Sequence, residues 1–82
     1  MKNYSNEDYY QTSDLAQATT LSFYFPIKSV DKTNPKRVVF VFKRDKDLDN
    51  HIEAYWRGEL KVEPQQFFNQ LKTIKTRIYS LK

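Results

Sequence analysis

Apolar residues recur along the chain at two different spacings. The first part of the chain carries a stripe of apolar residues three or four positions apart, namely Leu15, Ala18, Leu21 and Phe25. This spacing places side chains on one face of an α-helix. Thr12 or Ser13 can cap the N-terminus of that helix, and Pro26 disfavours helical geometry in the residue before it. We therefore expect a helix over residues 13–24.

The middle of the chain contains an unbroken apolar run, made of Val38, Val39, Phe40, Val41 and Phe42. β-branched and aromatic residues in such a run predict a central strand, either covered on both faces or with one face on the core and the other on a partner. Asn34 and Pro35 together are a turn signal. Residues 27–31 and 37–44 are thus expected to form the arms of a β-hairpin. Residues 9–11 are a candidate for a further short strand.

A second helix is indicated by apolar residues at Leu48, Ile52, Tyr55 and Trp56. Asp47 can cap its N-terminus, and Gly58 suits the left-handed conformation that often follows a helix end. The chain has six Phe, six Tyr and one Trp, so aromatic side chains must supply much of the core. We therefore expect Tyr55 and Trp56 to be buried.

A third helix is predicted to begin at Pro64, because the first turn of a helix does not need the N–H group that proline lacks. Its apolar seam consists of Phe67, Leu71, Ile74, Ile78 and Leu81. Two heptads of this pattern are more typical of a core face than of a coiled coil.

These elements predict a small α+β fold in the order (β)αββαα. An antiparallel hairpin, with or without a short third strand at the N-terminus, packs against three helices on one face, since a lone hairpin needs a covering layer. A chain of 82 residues has room for one core. We expect residues 1–8 to be a flexible tail and residues 9–82 to form a single domain.

Composition excludes several classes of function. The chain has no cysteine, which rules out disulfides, thiol catalysis and zinc sites with thiolate ligands. It shows neither the apolar segment of a signal peptide nor a run long enough to cross a membrane, so we expect a cytoplasmic protein without a membrane partner.

Four short segments of the chain are distinctive: residues 10–16 (YQTSDLA), 39–42 (VFVF), 55–58 (YWRG), and 62–64 (VEP) with Phe67 and Phe68. Together they resemble a family of short bacterial and phage proteins recorded only as a domain of unknown function. The likeness covers almost the whole chain, from about residue 9 to residue 79. It implies no catalytic or binding residue. The association of the family with phages and mobile elements favours a role with nucleic acid.

Candidates for catalysis and metal binding are weak. His51 has Asp47 one helical turn before it and Tyr55 one turn after it, but no nucleophile is identified beside it. Asp45, Asp47 and Asp49 resemble the start of a calcium loop, whose required glycine and glutamate are replaced by Asn50 and Trp56. We expect no enzyme activity, no metal and no cofactor.

Charge is concentrated in blocks within a net charge of +4. Residues 32–46 carry six basic side chains and one acid, and residues 65–82 carry four basic side chains and no acid. The candidate phosphate contacts are Lys36, Arg37, Lys43, Arg44, Lys72, Lys75 and Arg77. A basic two-stranded ribbon fits a nucleic-acid groove. Lysines that protect a strand edge from aggregation are the alternative interpretation of the hairpin.

Phe68, Lys72, Lys75 and Tyr79 fall on one flank of the third helix at about 100° per residue. Aromatic side chains next to lysines are suited to bind unpaired bases: the rings of Phe68 and Tyr79 would stack on the bases, and the lysines would neutralise the phosphates. Alternatively, Phe68 packs on the hairpin and the lysines extend their stems over apolar surface.

Our leading hypothesis is a non-enzymatic nucleic-acid-binding accessory protein, for which the family resemblance suggests a phage or mobile element as the source. DNA and RNA are not distinguished. The alternative is a protein-interaction subunit, as a homodimer or as part of a larger nucleoprotein complex, because the apolar strand and the heptad-like helix could support such contacts.

Overall fold

The computed structural model of the chain describes residues 8–34 and 36–80. Its elements are β1 (Tyr9–Thr12), α1 (Leu15–Leu21), β2 (Ser29–Asp31), β3 (Val39–Lys43), α2 (Lys46–Trp56) and α3 (Pro64–Ser80). The order βαββαα and the α+β class confirm the prediction. Almost all of the predicted tail, and Leu81 at the end of the predicted seam, lie outside the described residues.

The sheet has β3 at its centre, between β1 and β2, and both neighbours run antiparallel to it. The predicted hairpin is therefore present, and residues 9–12 form the third strand. Because β1 and β2 both oppose β3, they are parallel to each other and are connected through α1. The arrangement is a split β-α-β unit with β3 inserted between its two strands.

The core lies on one face of this sheet. Side chains alternate along a strand, so Phe40 and Phe42 point to the same side, where Phe40 is paired with Thr12 and Val30. The buried apolar cluster consists of Ala18, Leu21, Phe40, Phe42, Leu48 and Ile74. All three helices contribute to it, which places them together on that face. Val41, on the opposite face, is also fully buried in the middle of the sheet.

α1 ends at Leu21, three residues earlier than expected, and its N-cap is Asp14 rather than Thr12 or Ser13. The Asp14 carboxylate accepts the N–H of Gln17 at 3.2 Å. At the other end, the N–H groups of Phe23 and Tyr24 donate to carbonyls three residues back. Such tighter turns commonly finish a helix.

α2 begins at Lys46 and is capped by Asp45, whose carboxylate accepts the N–H of Leu48 at 2.7 Å, and not by Asp47 as predicted. Gly58 follows the helix with φ of 71°, which confirms the predicted stop. α3 begins at Pro64 as expected. None of the described helices is long and apolar enough to cross a membrane.

The burial of Trp56 was predicted wrongly. Trp56 is 66% exposed, and Leu48 is the buried residue of α2. α2 packs against the α1 region through His51 and Tyr55, which lie on another side of the helix from Trp56. Trp56 therefore points to solvent, although it belongs to the apolar stripe.

Candidate nucleic-acid interface

α3 presents one exposed flank of two aromatic and two basic side chains. Ile74 faces the core. At about 100° per residue, the other side chains of interest lie roughly 100–160° around the helix from Ile74. They are Phe68, Lys72, Lys75 and Tyr79, and we call them the α3 flank. Phe68 is 59% exposed and Tyr79 is 73% exposed.

Phe68 is exposed and is not among the side chains packed against the core cluster, which disfavours the interpretation in which it packs on the hairpin. The ring of Phe68 meets that of its neighbour Phe67 edge to face, with centroids 5.9 Å apart. Exposure of two rings on one helix flank is unusual for side chains that gain free energy on burial. The α3 flank is thus an exposed surface that carries two aromatic rings and two positively charged side chains.

The two lysines of the α3 flank are not engaged by acidic groups. Among the described residues, neither Lys72 nor Lys75 takes part in an ion pair or a side-chain hydrogen bond. α3 itself contains no aspartate or glutamate between Pro64 and Ser80. The positive charge on this flank is therefore available to an anionic ligand.

The turn of the hairpin lies next to the C-terminal end of α3. The amine of Lys32, in the loop after β2, donates a hydrogen bond to the backbone carbonyl of Ile78. Lys36 and Arg37 belong to the same loop and are exposed. Arg37 donates to the Ser13 hydroxyl at 2.9 Å. The hairpin turn and the last turns of α3 are thus neighbours at one end of the molecule.

Three of the seven candidate phosphate contacts lie away from both the α3 flank and the hairpin turn. Lys43 and Arg44 are at the far end of β3, roughly 13 Å from Val39 at about 3.3 Å per residue. Arg44 forms an ion pair with Asp49 at 2.8 Å. Arg77 lies about 60° from Ile74 on the side away from the α3 flank. The seven residues therefore do not share one surface.

His51 and Tyr55 fasten α2 to the region of α1. His51 Nδ1 donates to the carbonyl oxygen of Asp47 at 2.8 Å, and its ring contacts Tyr24 and Phe25 with centroids 4.7 and 5.0 Å away. The Tyr55 hydroxyl lies close enough to the Asp14 carboxylate to interact with it. Burial, with the charge and hydrogen bond of that carboxylate, raises the pKa of Tyr55.

These contacts do not assemble the column of Asp47, His51 and Tyr55 that helical spacing allows. His51 bonds to the backbone of Asp47, and Tyr55 turns to Asp14. In the part of the chain that the structure describes, no three His, Asp or Glu side chains are grouped closely enough to hold a metal ion. Asp45 caps α2, and Asp49 is paired with Arg44.

A protein-family model described as a domain of unknown function, DUF5659, matches residues 7–80. The chain belongs to the DUF5659 family. This confirms the resemblance inferred from its short segments, and the match spans every element from β1 to α3. Neither the curated proteins nor the solved structures gave a match to the chain.

Two residues of this DUF5659 chain have roles that the sequence pattern did not reveal. In the sequence, Lys32 is one of the six basic residues of segment 32–46; in the structure, its amine donates a hydrogen bond to the backbone at the end of α3. Gln17 is buried, and its side-chain oxygen accepts the Tyr10 hydroxyl at 3.0 Å. The first contact joins residues 46 positions apart and the second joins β1 to α1, seven positions away, and neither follows from the periodic spacing of side chains within one element.

Proposed function

We propose that this DUF5659 protein binds nucleic acid through the α3 flank and has no catalytic activity. The observation that carries the proposal is the presence of two exposed rings and two unengaged lysines on one side of an acid-free helix. Lysines that neutralise phosphates release condensed counterions, which is a main source of affinity for nucleic acid. Exposed rings add a surface on which bases can stack.

The hairpin turn supports a longer contact path. Lys36 and Arg37 lie in the loop that the Lys32 amine holds against the end of α3. A backbone that follows the α3 flank towards its C-terminus would therefore approach two further cations. Lys43 and Arg44 are not part of this path, because they lie at the other end of β3.

The test is a salt titration of binding to labelled oligonucleotides, measured by fluorescence anisotropy from about 50 mM salt upwards. The double variant Lys72→Gln/Lys75→Gln removes two phosphate contacts. We expect the slope of log affinity against log salt to fall in magnitude by about 1.4–1.8, because each contact contributes roughly 0.7–0.9.

The matched control is Lys46→Gln/Lys61→Gln. It removes the same charge from two exposed lysines outside the α3 flank. We expect this variant to keep most of the slope. Equal losses in the two double variants, or no binding by the unaltered protein at about 50 mM salt, would contradict the proposal. Circular dichroism checks that all variants are folded.

A second candidate function is a protein-interaction subunit, which the exposure of Trp56 favours. Tryptophan is enriched among the residues that dominate binding energy at protein interfaces. Trp56 is 66% exposed, and its ring meets Tyr55 edge to face at 5.3 Å. Light scattering tests this alternative. A dimer that dissociates in the variant Trp56→Ala supports the protein-interaction function, and a monomeric unaltered protein contradicts a homodimer.

The association with phages or mobile elements stays a prediction.

A further inference from the structure

The order of side chains along the α3 flank is ring, cation, cation, ring. At about 1.5 Å per residue, Lys72 and Lys75 lie roughly 6 and 10 Å along the helix from Phe68, and Tyr79 lies roughly 16 Å from it. The lysines are therefore between the rings and on the same side as both. At the spacing of about 3.4 Å per nucleotide in a stacked strand, the distance between the rings corresponds to about five nucleotides.

Such an order suits a ligand that offers phosphates and base faces to the same surface. In a duplex the faces of the bases are covered by their neighbours, and only their edges reach the grooves. Rings such as Phe68 and Tyr79 would find no face to stack on there. A single strand can turn its bases towards the rings while its phosphates stay beside the lysines.

We infer that the α3 flank selects single-stranded over double-stranded nucleic acid, with bases stacked on Phe68 and Tyr79 and the phosphates between them on Lys72 and Lys75. This inference rests on the proposed function and specifies the ligand of the same site. Each stacked ring is expected to contribute about 5- to 160-fold in affinity for a single strand. Duplex binding depends on the lysines and is expected to be weaker.

Trp56 provides a matched control for an exposed ring elsewhere. It is exposed to a similar degree as Phe68, but it lies beside Arg57, whose guanidinium is held by Glu53 and Glu59 at 3.8 and 3.1 Å. Carboxylates in this position repel a phosphate backbone. Removing the ring of Trp56 should therefore leave nucleic-acid affinity unchanged.

The experiment compares fluorescent oligothymidine and oligouridine of about 15 nucleotides with a 15-base-pair duplex, at about 50 mM salt. The unaltered protein should bind the single strands more tightly. The variant Phe68→Leu/Tyr79→Leu keeps every charge, so it should lose at least about 25-fold in single-strand affinity if both rings contribute at the lower limit of 5-fold each. Its duplex affinity and salt slope should not change, and Trp56→Leu should behave like the unaltered protein.

The inference is supported if the unaltered protein binds oligothymidine or oligouridine more tightly than the duplex and the variant Phe68→Leu/Tyr79→Leu does not. Equal affinity for single strand and duplex, or equal behaviour of the ring variant and the unaltered protein, overturns the inference but leaves the proposed function standing. If the unaltered protein binds neither the single strands nor the duplex, both the inference and the proposed function are overturned. Thermal melting of the ring variant excludes unfolding as the cause, because both rings are exposed.

Discussion

Phe40→Ala is expected to lower the free energy of unfolding by about 3–5 kcal/mol. Phe40 is 1% exposed, lies in the central strand and is paired on both sides, with Thr12 and Val30. Its removal leaves a cavity between the sheet and the helices. A chain of this length is expected to have a total stability of about 4–12 kcal/mol, so the variant loses much of it.

Chemical and thermal denaturation followed by circular dichroism measure this loss. The melting temperature should fall by about 12–40 °C, because 1 kcal/mol corresponds to about 4–8 °C in a domain of this size. Phe68→Ala is the matched control, since the same side chain is removed from a position that is 59% exposed. It should change stability by no more than about 0.5 kcal/mol. Similar losses in the two variants would contradict the position of the core.

Leu48→Ala is expected to cost about 2–5 kcal/mol and to weaken the attachment of α2. Leu48 is the fully buried residue of α2 and belongs to the same cluster as Phe40 and Phe42. The other contacts of this helix, such as those of His51 with Tyr24 and Phe25, lie nearer the surface. They cannot replace the burial of a leucine.

Trp56→Ala gives the comparison within the same helix. It removes a larger side chain than Leu48→Ala, yet we expect it to cost less, because Trp56 is 66% exposed. Urea denaturation of the two variants shows whether the loss of stability depends mainly on the burial of the side chain or on its size. A loss for Trp56→Ala equal to that for Leu48→Ala would restore the prediction that Trp56 belongs to the core.

Burial along α2 could not be derived from its apolar stripe alone. The spacing of Leu48, Ile52, Tyr55 and Trp56 shows only that they share one side of a helix. The neighbours of that side determine which of them are covered. Contacts with the α1 region fall on the side of His51 and Tyr55, so the opposite edge of the stripe is left to solvent.

The helix caps show the same dependence on neighbouring structure. Asp45 and Asp47 are both suitable N-cap residues. The antiparallel ladder runs to Lys43, and the N–H of Arg44 still donates to the carbonyl of Asp8 at 2.8 Å. Asp45 is therefore the first residue free of the sheet, and it becomes the cap. At α1, Thr12 is still paired with Phe40 and the Ser13 hydroxyl accepts a hydrogen bond from Arg37, and the carboxylate of Asp14 caps the helix.

The parts of the candidate site differ in how far they follow from sequence. The α3 flank was predictable, because its four members are within one helix and their angular positions depend only on the helical period. Their exposure was not, since it depends on whether the hairpin covers Phe68. The separation of Lys43 and Arg44 from the other cations arises from the direction of β3, and the approach of the hairpin turn to α3 depends on the bond from Lys32 to Ile78.

By itself, the sequence determined the α+β class, the order of the elements, the central position of the apolar strand and the grouping of residues on the α3 flank. These properties depend on local spacing and turn chemistry, which act between residues close together in the chain. Only the tertiary structure decided the exposure of Trp56, the caps of the helices and the division of the basic residues between two ends of the molecule. Those properties depend on contacts between distant segments, and a periodic pattern does not specify which segments meet.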